Sequence, residues 1–346
     1  MSTDPSCDAA AVSHYRKAAE RLMGEAGLTA EFSLERMRGG GNNRVFRLSC
    51  SDGKLALLKA YFSAPTDCRD RFEHEHAFYR HLERSGIFQT PKALGWDAEM
   101  RVGLFEFVTG PKLSPGEVAA CHVSECARFF STLNRARRES TATDLPLASE
   151  ACFSLRDHAQ TIGKRVHRLL RLEAEPEACP DALELIRARL LPLWKQVREA
   201  LESTEGSSAL LAAPLRCLSP SDFGFHNAIC SPRGLLFFDF EYAGWDDPAK
   251  MACDFFCQPD IPAPPHTLAQ FLEETRLPEW HADAYTARVQ ALLPAYRIKW
   301  ACIILNVFLK DASLRRAFAD SDLLAEPARR AQLAKARLQL DAVVPA

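Results

Sequence analysis

The sequence predicts an α+β fold of two lobes: a small β-rich N-lobe over residues 1–110 and a larger helical C-lobe over 111–346. Two textures and one break between them predict it. Short apolar runs separated by turn residues dominate the first third, and beyond residue 115 apolar residues recur mainly at helical spacing. Between the two textures stands Thr109-Gly110-Pro111, a strong turn signal. With 346 residues, 47% of them hydrophobic, the chain can bury a core in each lobe.

Taken in order, HYRKAAERLMGEAG (14–27) reads as an amphipathic helix. FSLERM and RVFRLSC follow as strands, and Ser51-Asp52-Gly53 turns the second into the strand KLALLKAYF (54–62). DRFEHEHAFYRHLERSG (70–86) sets Phe72, Phe78, Tyr79 and Leu82 at helical spacing and closes on Gly86. ALGWDAEMRVGLFEFVTG (93–110) reads as two more strands. Helices follow over 115–138, 152–172 and 181–203, the last of which Pro192 should bend or break. The basic runs KRVHRLLR (164–171) and RARR (135–138) read as solvated helix faces.

A net charge of −2 gives no general attraction to nucleic acid or to an anionic membrane, which leaves a small molecule as the expected partner. Twelve cysteines are scattered without a CxxC pair, so they read as reduced, mostly buried thiols suited to the cytoplasm. Residues 1–13 have neither the basic start nor the apolar run of a secretory signal. WACIILNVFL (300–309) is half the length of a membrane helix, which needs about 20 residues, and reads as a buried one.

The chemistry concentrates in CLSPSDFGFHNAICSPRGLLFFDFEYAGWDDPAKMACDF (217–255). Asn227 lies five residues after Asp222, and Asp239 follows twelve later at the end of an apolar strand. Phosphoryl transfer needs a carboxylate beside the attacking hydroxyl and hard oxygen ligands for the magnesium that bridges the phosphates. A loop offering Asp then Asn, followed by a strand end offering a second Asp, meets both needs. The literal D-F-G at 222–224 is then a coincidence, with Phe223 and Gly224 as filler. If Asp222 were the magnesium ligand, a D-x-x-x-x-N loop should precede it, yet no aspartate lies between Asp181 and Asp222.

Asp222 with Asn227, Phe238-Asp239-Phe240-Glu241, Ala243, Asp247-Pro248 and Asp254 resemble the C-lobe pattern of the aminoglycoside phosphotransferase and choline kinase family. That resemblance implies a two-lobed protein-kinase-like fold and transfer of the γ-phosphate of ATP or GTP to a hydroxyl of a small molecule. It implies Asp222 as the base or hydroxyl-orienting residue, Asn227 and Asp239 as ligands of magnesium, with two ions bound, and Asp254 as a carboxylate bracing the catalytic loop. One departure is that Pro220 stands where the family carries a histidine supporting that loop. His226 is a candidate substitute, although a satisfied structural histidine is the plainer reading of it.

The first lobe supplies the remaining parts in the right order. Gly39, Gly40, Gly41 and Asn42 lie between two strands, where backbone N–H groups can approach phosphates, and equally suit a plain hairpin. The resemblance implies that Lys59 contacts phosphates and that Glu75 pairs with it, Glu73 being the second choice. As bare residue types, a strand-end lysine and a glutamate on a charged helix also fit a solvated surface. Glu106 and Val108 fall in the segment whose main chain would hydrogen-bond the adenine.

For the acceptor, Glu241, Trp245, Asp246, the loop QPDIPAPP (258–265), Arg297, Lys299 and Trp300 are candidates, each also compatible with a structural role. Carboxylates would suit an amine or aminoglycoside, aromatic faces a quaternary ammonium group or sugar, and the cations an acidic sugar. Pro220 favours an alternative, a kinase-like pseudoenzyme acting as nucleotide-binding scaffold or sensor, but such a protein has no need to keep Lys59, Asp222, Asn227 and Asp239 together. A protein kinase is disfavoured because Glu241 runs almost at once into Asp247-Pro248, leaving no long activation loop. His74-Glu75-His76 lacks the spacing of a zinc hydrolase.

Overall fold

A computed structural model of the chain describes residues 5–29, 31–37, 43–63, 70–138, 140–174, 179–309 and 326–344. The first region carries α1 (Pro5–Glu25), then β1 (Phe32–Met37), β2 (Arg44–Cys50) and β3 (Leu55–Ala60). Next come α2 (Arg71–Arg84), β4 (Ala93–Asp97) and β5 (Val102–Glu106). The five strands form one antiparallel sheet in the order β1-β2-β3-β5-β4.

The period of two along each strand decides what faces what. Phe46 and Leu48 on β2, Ala56 and Leu58 on β3, and Val102 and Leu104 on β5 are buried against Tyr15, Ala19, Leu22 and Met23 of α1. The alternate β3 positions, Leu57 and Lys59, therefore face the other side of the sheet. There Phe105 joins Phe78, Tyr79 and Leu82 of α2 in the core of the second region. α1 begins well before the stretch expected from its pattern, with Ala11 buried one turn upstream of Tyr15. α2 is capped by Asp70, which accepts from Glu73 N, and stops before Gly86, whose φ of 68° is left-handed.

The second region is built from α3 (Ala120–Arg135), α4 (Ser140–Thr143), α5 (Leu155–Leu169), α6 (Pro180–Leu185) and α7 (Leu191–Ser203). Pro192 leaves a mark on the last two. It has no N–H for the carbonyl four residues back, and the turn Ile186–Leu190 opens into π geometry instead of breaking the helix.

Two short antiparallel ribbons follow: β6 (Cys217–Ser219) with β9 (Gly244–Asp246), and, between them in sequence, β7 (Ala228–Ser231) with β8 (Gly234–Phe237). The chain ends in α8 (Pro248–Cys257), α9 (Leu268–Thr275), α10 (Ala282–Leu305) and α11 (Glu326–Asp341). α10 is the central helix, packed on α5, α7, α8 and α11. By length and composition Ala282–Phe308 could cross a membrane, but 61% of its apolar window is buried inside the protein, as a core helix would be. The described cysteines are free thiols, most of them buried. The basic runs meet acidic partners: Arg137 and Arg138 both hold Glu279, and Arg165 holds Glu150.

Candidate active site

Lys59 sits near the end of β3 on the face turned away from α1. Its Nζ donates to Glu75 Oε2 at 2.5 Å and to Asp239 Oδ1. Glu75, on the buried side of α2, spends its other oxygen on Phe240 N at 3.1 Å. One glutamate thus joins the sheet, the helix and the segment after β8. Burial pulls the Lys59 ammonium down, but the charges of Asp239 and Glu75 outweigh it and hold the lysine above its ordinary value, so it stays charged. Glu73, the second choice, has its backbone in the N-terminal cap of α2 and its side chain exposed.

The loop from β6 to β7 is held at its root by a residue that the sequence does not single out. Asn134 of α3 accepts from Leu218 N at 2.8 Å and donates to Leu218 O at 2.9 Å, clamping β6 directly before the loop. Ser221 and Asp222 then take left-handed φ of 49° and 34°, and Asp239 takes 69°. Non-glycine residues seldom adopt that region, and they cluster where geometry serves a function. Asn227 donates from Nδ2 to Asp222 O at 3.1 Å, and Phe238 N donates to Asn227 O at 3.1 Å, which brings the Asp222–Asn227 loop beside the segment carrying Asp239.

Phe223 is not filler. It is 5% exposed and packs among Phe129, Phe237 and Phe255, which anchors the loop to the core. Burial pushes the Asp222 carboxyl upward, but the His226 ring, Lys299 and Asn227 outweigh it, so Asp222 sits below the usual carboxylate range. Lys112, just past the Gly110-Pro111 break, donates to His226 O at 2.9 Å and lies over the Phe238 ring at 5.1 Å. No periodic pattern marks it, since it stands in an irregular segment.

The donor set left over suits magnesium. Asp239 uses Oδ1 on Lys59 and keeps Oδ2, while Asn227 uses its amide nitrogen and keeps its oxygen. Among the described residues there is no group of three His, Cys, Asp or Glu that could cage a metal. Two protein oxygens with phosphates completing the shell is the usual arrangement for that ion.

Other expectations meet a different outcome. Gly39, Gly40, Gly41 and Asn42 lie outside the described residues. The next residue, Asn43, donates from Nδ2 to Glu241 Oε2 at 2.5 Å and accepts from Phe62 N. Glu106 has its N–H on Lys92 O and its carboxylate on Lys92 N and Arg233, so these groups are already engaged within the protein. Val108 makes no backbone hydrogen bond among the described residues.

The acceptor candidates are not gathered into one wall, because buried charges and donors have taken internal partners. Glu241 turns to Asn43 and Arg71 and is pushed up to about 7 by burial and by Asp239. Trp245 donates to Ala142 O, Asp246 pairs with Lys250, and Arg297 bonds Gln339 of α11. Lys299 alone reaches Asp222 electrostatically, and both its bonds go to Asp254, which Trp300 also contacts. Asp254 is therefore held by α10. It makes no hydrogen bond to residues 220–227, so the bracing role expected for it is not observed. In the loop 258–265, Gln258 accepts from Asp260 N and Ile261 N, and Asp260 pairs with Lys335.

The fold is similar to that of known proteins. The profile of the phosphotransferase enzyme family matches residues 33–285. No curated protein matches the chain in sequence. Among solved structures, a spectinomycin phosphotransferase in complex with ADP and spectinomycin aligns with a TM-score of 0.64 at 12% identity, over 94% of this chain and 98% of that one. A choline kinase from Cryptosporidium parvum aligns at 0.59 and 14%, over 96% and 98%. A Plasmodium vivax ethanolamine kinase aligns at 0.59 and 16%, over 93% and 89%. At these identities the likeness bears on the fold, which is kinase-like with a sheet-bearing N-terminal region and a helical C-terminal region. With its profile matched across most of its length, the chain belongs to the phosphotransferase enzyme family.

Proposed function

We propose that this protein is a small-molecule kinase that transfers the γ-phosphate of ATP or GTP to a hydroxyl of an amino alcohol, an aminoglycoside or a sugar. The observation that carries the reading is the meeting of Lys59, Glu75 and Asp239 beside the loop of Asp222 and Asn227. Such a site works by positioning and electrostatics. Lys59, kept charged by its carboxylate partners, contacts the donor phosphates. Asp222 accepts the proton of the acceptor hydroxyl as its oxygen bonds to phosphorus and the bridging oxygen leaves with the nucleoside diphosphate. Asn227 and Asp239 would hold the magnesium, which neutralises phosphate charge when bound.

Gly39, Gly40, Gly41 and Asn42 would cover the phosphates, and the main chain at Glu106 and Val108 would meet the base. Lys299 is the acceptor-side candidate favoured by its reach to Asp222. We place the activity in the cytoplasm, in keeping with free, mostly buried thiols. The test is nucleotide consumption with magnesium against a panel of amino alcohols, aminoglycosides and sugars, with Asp222→Ala as control. Acceptor-dependent consumption by the wild type alone is expected. A chain that binds nucleotide yet consumes none with any acceptor would instead be a scaffold or sensor.

A further inference from the structure

His226 is a part-buried histidine, its side chain 17% exposed, whose ring lacks a settled partner. His158, the contrasting case, bonds Tyr296 through Nδ1 and Asp247 through Nε2. Both ring nitrogens of His226 are shielded from solvent without a well-formed hydrogen bond among the described residues. A buried polar group left in that state costs free energy, so the satisfied structural histidine is not what the fold contains. The group that faces it is the catalytic-loop carboxylate: His226 Nε2 lies 3.3 Å from Asp222 Oδ1.

Everything around the ring fixes that approach. A Cβ at Gly224 would come within 2.9 Å of His226 Nδ1, so glycine is needed there to leave room for the ring. Lys112 holds the His226 carbonyl, and Asn227, the next residue, is tied to Gly224 O and Asp222 O. Long hydrogen bonds in a ligand-free catalytic site tighten as the reacting complex forms.

We propose that His226 is the positioning residue for Asp222: its Nε2–H donates to Oδ1 and leaves Oδ2 to meet the acceptor hydroxyl. This rests on the kinase reading of Asp222. It also accounts for Pro220, since a support delivered from residue 226 makes an imidazole at 220 unnecessary. His226 touches neither substrate nor phosphate and acts through the carboxylate.

The test uses the full chain with His226→Phe and His226→Gln, because a glutamine amide can place a donor close to where Nε2 stood. His226→Phe is expected to lower kcat by about 10- to 100-fold, the scale of a misplaced reacting group, with KM for the nucleotide within twofold. His226→Gln should recover most of that loss. If phenylalanine left kcat unchanged, or glutamine were as poor as phenylalanine, the proposal would fall. A second readout needs no turnover: the ring ¹⁵N signals of His226, assigned by their loss in His226→Gln, should shift in Asp222→Ala while those of His158 stay. Unmoved His226 signals would overturn the contact itself. A wild type with the contact intact but no acceptor phosphorylation would overturn the kinase reading.

Discussion

Asp222 and Asp239 each hold a left-handed backbone that an ordinary residue avoids, and the bond from Phe238 N to Asn227 O sets their two segments side by side. Their roles separate under mutation. Asp222→Ala should reduce turnover by about 10²–10⁴, the range of a positioned general base, while nucleotide binding is largely kept. Steady-state kinetics beside a binding isotherm check both halves, and wild-type turnover would refute the assignment. At this scale the spacing of Asp222, Asn227 and Asp239 was legible because that pattern is local, whereas Lys59 and Glu75 were named only through the family resemblance. The acceptor residues were not legible. Whether Asp246 faces a ligand or Lys250, or Arg297 a ligand or Gln339, depends on partners that no short window of sequence displays. Asn134 and Lys112 were missed for the same reason.

Among the elements, the strands of the five-stranded sheet and β8 were legible from their apolar runs and α2 from its stripe, while the short strands β6, β7 and β9, the start of α1 and the π turn before Pro192 were not. A missing N–H tells where a helix must adjust without telling whether it widens or breaks. The break at Thr109-Gly110-Pro111 gains its physical reason from the structure. A Cβ on Gly110 would stand 2.0 Å from Cys230 O, and Cys230 N donates to Pro111 O at 2.9 Å, so this segment lies directly on β7. Gly110→Ala must push the two backbones apart, and it should destabilise the protein by about 1–3 kcal/mol, as overpacking does. Urea unfolding at fixed pH measures it, and an unchanged midpoint would show that the segment yields freely.

For the whole molecule, His158 on α5, Asp247 at the cap of α8 and Arg288 on α10 lock three helices behind the β6–β9 ribbon. Burial pulls the His158 ring down, but its hydrogen bond to Asp247 prevails and raises it from 6.5 to about 9. A group raised on folding stabilises fully below its unfolded value and loses that contribution as pH climbs through the folded one. Stability should therefore fall between pH 6.5 and 9, by on the order of 3 kcal/mol from this group, and the slope should be markedly shallower in His158→Gln. Equal slopes in the two proteins, followed by urea unfolding across that range, would assign the pH dependence elsewhere.

The same packing holds the cleft where the first region's lysine meets the second region's aspartate. That cleft as a metal–nucleotide site is tested most directly by ATP affinity measured with and without magnesium, in the wild type and in Asp239→Ala. Tight binding that requires both magnesium and Asp239 is the expected result. Affinity indifferent to the metal and to Asp239 would contradict it.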